Sequence, residues 1–133
     1  MHTLNGKTNS KVLKKDKAGS WEYTYTSTAR TVLRTLWLID FLHIFFSLIV
    51  TKPDQALSTN AREAYDQAFG AHHEWVVRQG AKVAMYAMPT KEVLMVSTGI
   101  KEESHLATIV EGSDRIRLEL WRYYKLKGLD TLP

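Results

Sequence analysis

From Thr28 to Val50 the chain runs without a glycine or proline, and its apolar residues point almost every way round a helix. Val32, Leu33, Leu36, Trp37, Leu38, Ile39, Phe41, Leu42, Ile44, Phe45, Phe46, Leu48 and Ile49 belong to this run. A helix apolar on all sides sits at the centre of a fold or in a bilayer. The run is long enough to span a bilayer. Arg34, Asp40 and His43 weigh against a lipid-facing position, since a charge at the middle of such a helix costs about 2.5–3.5 kcal/mol. The expectation is a central helix of a packed domain, with Ser27 or Thr28 as its N-cap.

Everything after this run also reads as helix, so the expected fold class is all-α. Lys52-Pro53-Asp54 marks a loop, and a second helix starts near Ser58 or Thr59. Its stripe of Ala61, Ala64, Tyr65, Ala68, Phe69, His72, Trp75 and Val76 has the i, i+3, i+4 spacing of an amphipathic helix. Gly80 is a candidate break, followed by a helical segment over 82–88 that ends at Pro89. Thr90 to Val96 predicts a short helix stopped by Gly99, and 102–127 a last helix in two pieces, split at Gly112-Ser113.

Residues 1–27 form a different region, expected to be a basic, poorly ordered arm ahead of a helical domain over 28–133. They carry Lys7, Lys11, Lys14, Lys15 and Lys17 among Asn5, Gly6, Asn9 and Gly19. Such an arm is either solvated or touches anionic lipid or nucleic acid. Trp21, Tyr23 and Tyr25 alternate with polar residues. That period suits an extended lead-in packed on the helices, with no partner strand in view. A chain of 133 residues, 44% of them hydrophobic, is sized for one domain with a real core. The net charge of +4 suits contact with anionic membranes or phosphates. No cysteine is present, so the expected compartment is the reducing cytosol and thiolate metal sites are excluded. The first 19 residues show no apolar leader segment.

Arg30 and Arg34 lie one helical turn apart and share a face. Two guanidinium forks so placed can clamp one phosphate; alternatively they face solvent at the helix start. His72 and His73 are adjacent, so on a helix they diverge by about 100° and cannot share a metal. His73 is either a structural histidine or a ligand donor. Asp40 and His43 can pair with each other, or Asp40 with an arginine from elsewhere. An acid–base role for them lacks a nucleophile nearby. Trp37 and Trp75 read as core aromatics. No metal site, cofactor loop or catalytic motif is expected. Cationic and donor groups set in apolar helices suit a ligand with an anionic head and a greasy body.

In order, these segments resemble the glycolipid transfer protein superfamily, in its ceramide-1-phosphate branch. Arg30-Thr31-Val32-Leu33-Arg34 with Leu38, Phe41, Leu42 and Phe45 is similar to the family's arginine-rich helix. Ala64-Tyr65, His73-x-Trp75-Val76-Val77-Arg78, Ala84 and Met88-Pro89-Thr90-Lys91-Glu92 resemble its later motifs, and Gly128 to Pro133 its ending. The resemblance covers about 28–133. It implies a two-layer α-helical sandwich around an apolar lipid pocket, here partial because the family's N-terminal helices have no counterpart. It implies headgroup roles for Arg30 and Arg34 as phosphate ligands and for His73 as donor to the lipid amide carbonyl. Glycolipid-selective members carry a sugar-stacking Trp where this chain has Arg34, which suits phosphate instead.

The expected function is therefore non-enzymatic transfer of a phosphate-headed sphingolipid between membranes. The expected protein is cytosolic, touches membranes peripherally, binds no nucleic acid, and is a monomer unless a partner supplies the absent helices. The alternatives are a transfer-incompetent lipid-binding or regulatory module, and a glycosphingolipid carrier.

Overall fold

The computed structural model describes residues 7–15 and 21–132, with backbone alone for 7–15 and 21–27. Asn5, Gly6, Asp16, Lys17 and Gly19 of the arm lie outside the described residues, as does Pro133. The order is β1 (Lys7–Lys15), β2 (Trp21–Ser27), α1 (Thr28–Thr51), α2 (Leu57–Ala68), α3 (Trp75–Met85), α4 (Lys91–Thr98) and α5 (Glu103–Leu126).

From residue 28 to residue 132 the described structure is all-α. Ahead of that stretch stands one departure from the expectation of helix alone. The extended segment at Trp21, Tyr23 and Tyr25 does have a partner strand, since β1 and β2 pair antiparallel. Sequence periodicity exposes one strand of a hairpin more readily than its mate, and β1 is lysine-rich and lacks alternation.

α1 packs between α2 and α5. At its start, Ala29, Leu33 and Leu36 are buried with Tyr124 of α5 and Leu129 beyond it. The Tyr124 hydroxyl donates to the Ala29 carbonyl oxygen at 3.0 Å. Further along, Phe45, Leu48 and Ile49 are buried with Leu57, Ala61 and Ala64 of α2 and Leu106 of α5. The small alanines let α2 approach closely. Polar seams fix the α1–α5 contact between these two clusters. Asp40 accepts from the indole N–H of Trp121 at 2.8 Å and from Arg117 at 3.3 Å. Of the two pairings open in the sequence, Asp40 thus takes the distant arginine. His43 instead meets Ser113 at 3.0 Å and Asp114 at 3.5 Å. α1 is long and apolar enough to cross a membrane by length and composition.

α3 and α4 begin the second layer of the partial sandwich. Neither contains a buried residue. Met85, Met88, Leu94 and Ile100 anchor them on the α1–α2 cluster. Thr90 caps α4, accepting from the Val93 N–H. Gly99 ends it with φ of 71°, a left-handed conformation that glycine adopts without steric cost.

Three helix boundaries differ from the sequence expectation. α2 stops at Ala68 instead of running on to Val76. The cause is the turn at Gly70, where an added Cβ would lie 2.3 Å from the Asp66 carbonyl oxygen. Gly80 lies inside α3, and α5 passes unbroken through Gly112-Ser113. A glycine costs a helix only about 1 kcal/mol relative to alanine, too little to end a helix by itself.

Candidate functional site

Arg30, Arg34, Trp37, Phe41 and Phe45 follow one another along α1 at intervals of four, three, four and four residues. That spacing sets them on one face. Its lower part packs on the end of α2. The Phe41 ring lies nearly parallel to Phe45 at 5.9 Å and tilted to Phe69 at 6.0 Å. One turn upstream, Trp37 stacks on His72 with centroids 3.8 Å apart and planes within 8°. Arg34 and Arg30 continue the same face by roughly 4.5 and 10 Å along the axis. Arg34 is exposed, and Arg30 is half-buried and engaged with its surroundings.

The histidines stand in the turn between α2 and α3, not on a helix. The N–H groups of His72 and His73 both reach back to the Phe69 carbonyl. This turn sends the two rings to different neighbours. His72 goes to Trp37, while His73 stacks on Phe69 at 5.1 Å. The Nδ1 of His73 and the Tyr65 hydroxyl are hydrogen-bonded at 2.5 Å. Loss of solvent pushes the Tyr65 pKa above the usual phenol value, with Arg78 opposing. Tyr65 therefore keeps its hydroxyl proton. Loss of solvent also holds the His72 pKa below the ordinary imidazole value; the neighbouring His73 adds to this and Asp40 opposes it.

Of three donors buried without a hydrogen-bond partner among the described residues, Trp37 Nε1, Arg78 Nε and Asn60 Nδ2, the first two belong to this region. Trp37 belongs to the His72 stack, and Arg78 acts electrostatically on Tyr65. Buried orphan donors are uncommon in folded proteins and mark where a further polar group fits.

The ring contacts fall in two groups, the Trp37–His72 stack one turn from Arg34, and Phe41, Phe69, Tyr65 and His73 beside it. Sequence reasoning assigned no headgroup role to Tyr65, His72, Trp37 or Arg78. Tyr65 and His73 are eight residues apart across a turn, a distance at which helical periodicity carries no signal. Trp75, expected in the core, is instead 68% exposed at the start of α3. Because α2 ends early, Trp75 leaves the stripe that would have buried it. Elsewhere, a groove of about 380 Å³ between α1 and α5 is lined by His43, Ser47, Val50, Val110 and Asp114. No three His, Asp or Glu side chains converge among the described residues as a metal site would need.

Residues 3–99 match the family model described as glycolipid transfer protein. That match begins inside the arm, ahead of the boundary at 28 that the motifs suggest, and stops before α5. Accelerated cell death 11 of Arabidopsis thaliana is 32% identical over 84 residues, which are 62% of this chain and 40% of that protein. The ceramide-1-phosphate transfer protein of Rattus norvegicus is 37% identical over 70 residues, 52% of this chain and 32% of the relative. Among solved structures, human ceramide-1-phosphate transfer protein in complex with ceramide-1-phosphate superposes with a TM-score of 0.72 at 27% identity. That superposition covers 80% of this chain and 54% of the human one. The chain spans about a third to two fifths of the curated relatives and about half of the solved ones. With the family model matched over most of its residues, the chain belongs to the glycolipid transfer protein family.

Proposed function

We propose that this chain is a non-enzymatic carrier for a sphingolipid with a phosphate headgroup, moving it between cytosolic membrane faces. The observation that carries the reading is the corner where the Arg30–Arg34 face of α1 runs up to the Trp37–His72 stack and the Tyr65–His73 pair. Arg30 and Arg34 take the phosphate, as planar forks suited to two oxygens at once. With Tyr65 donating to Nδ1, the His73 Nε2 bears the proton and donates to the lipid amide carbonyl. The orphan donors on Trp37 and Arg78 add capacity for further lipid oxygens. The apolar faces of α1, α3 and α4 receive the hydrocarbon chains. The ligand-bound solved relatives support the substrate class, since human ceramide-1-phosphate transfer protein and the Arabidopsis protein are both described with ceramide-1-phosphate. The division at residue 28 into arm and carrier domain belongs to the same reading.

A second reading, binding without transfer, draws on the exposure of α3 and α4. Val76 is 72% exposed and Val96 83%. A carrier that leaves such faces uncovered holds a lipid less completely than a closed sandwich does. A glycosphingolipid carrier is less favoured, because Arg34 offers charge in place of a flat sugar-stacking ring.

Transfer of fluorescent ceramide-1-phosphate between vesicles tests the proposal. Folded protein transfers the lipid above blank, and Arg34→Leu lowers the rate by about 10- to 100-fold, the loss of one charge-assisted contact. Lys52→Leu, which removes only the exposed Lys52–Glu63 pair, leaves the rate near wild type. Vesicle-dependent pulldown without transfer supports the second reading. Absence of both binding and transfer rejects the carrier.

A further inference from the structure

Most of the net charge sits outside the helical domain. The first 27 residues hold five lysines against Asp16 and Glu22, a net +3 of the chain's +4. The strand pairing sorts these residues. Lys11 is opposite Tyr25, Leu13 opposite Tyr23 and Lys15 opposite Trp21. Positions two apart along a strand share a face. One face of the hairpin therefore collects Lys11, Leu13, Lys15, Trp21, Tyr23 and Tyr25. The other carries Val12 opposite Thr24 and Lys14 opposite Glu22. Lys11 and Lys15 thus share a face with the hairpin's aromatics.

From this juxtaposition we infer that the β1–β2 hairpin is a docking element for an anionic lipid surface. Lysines near such a surface each gain about 1 kcal/mol. Tryptophan and tyrosine settle at the headgroup level, one end apolar and the other wet. A lone two-stranded hairpin is marginal in water and gains by covering an apolar face. β2 runs directly into α1 and contacts it, so docking brings the membrane to the helix end that carries Arg30 and Arg34. The inference rests on the lipid-carrier reading for its choice of surface. A face of cations and aromatics also fits single-stranded nucleic acid. Lipid is favoured because Leu13 lies between the two lysines and across from Tyr23, an apolar centre that bases do not need.

The test uses the full chain and flotation with vesicles of phosphatidylcholine, plain or with about 30% phosphatidylserine. Wild type partitions onto the anionic vesicles and little onto the neutral ones. The double variant Lys11→Glu, Lys15→Glu loses about tenfold or more of that partition, as two lysine contributions require. Lys14→Glu with Lys101→Glu makes the same change in net charge away from the face and loses less than about threefold. Equal losses in the two double variants overturn the inference, since only net charge would then matter. Equal partition of wild type onto both vesicle types overturns it, as does tighter binding to a single-stranded oligonucleotide than to vesicles. Binding of a soluble short-chain ceramide-1-phosphate, followed by tryptophan quenching, separates the two proposals. The Lys11→Glu, Lys15→Glu chain retains it if the hairpin serves docking alone. A wild type that floats through Lys11 and Lys15 yet never binds the soluble lipid sinks the carrier and keeps the hairpin.

Discussion

The α1–α2–α5 layer and the α3–α4 pair are built from similar helices, but they are held in different ways. In the first, whole faces are lost from water: Leu33, Leu36, Phe45, Ile49, Ala61, Leu106 and Tyr124 are all buried. In the second, Trp75, Val76, Val83, Val93 and Val96 stay exposed, apolar contact with the core cluster comes from Met85, Met88, Leu94 and Ile100, and the remaining ties are exposed polar pairs such as Lys82–Asp66 and Lys91–Glu103. Burial of apolar area is the main favourable term in folding. Local stability should therefore fall sharply between the two regions, although their helical patterning looks alike. In a lipid carrier the loosely held part is the one able to move aside for a ligand.

The largest effect should come from the core. Leu36→Ala lowers unfolding stability by about 2–5 kcal/mol, measured by chemical denaturation, while Val83→Ala stays within about 0.5 kcal/mol. A Val83 cost equal to that of Leu36 would break the contrast and mean that α3 is covered in solution. Next comes the polar seam of the packed layer. Asp40→Asn costs about 1.5–3 kcal/mol in the same assay, because Arg117 and Trp121 both lose a charged acceptor. A cost confined to α3–α4 amides in hydrogen exchange would contradict the assignment of Asp40 to the α1–α5 contact.

The smallest effect sharpens the junction between the regions. His72 has a folded pKa below its ordinary value of 6.5. As pH falls through 6.5 the unfolded chain takes up the proton first, so stability drops. The contribution is full above that value and is lost by the time the folded ring also protonates. Melting temperature followed from pH 7.5 downward, in the range of about 6.5 and below, should fall less steeply in His72→Gln than in wild type. Parallel profiles would remove the Trp37–His72 stack as the cause.

Much of the first layer is legible from one residue to its neighbour one turn on. The apolar wrap of α1 and the Arg30–Arg34 spacing follow from 3.6 residues per turn. Thr90 and Gly99 as the ends of α4 follow from cap chemistry. The failures share a different origin. Gly80 and Gly112 looked like breaks, yet a penalty of about 1 kcal/mol is too small to end a helix on its own. Phe69 to Glu74 looked like helix because its apolar stripe continues across a turn. That one misplacement put Trp75 in the core and separated the histidines by the wrong geometry.

The amino-acid order alone decided where helices form and that two guanidiniums share a face, since both depend on neighbours within a turn or two. Tertiary structure decided that Trp37 meets His72, that Tyr65 holds His73, and that Asp40 chooses Arg117 over His43. These contacts join residues 8 to 77 positions apart. No local period encodes such meetings, because they depend on which buried faces exclude water together.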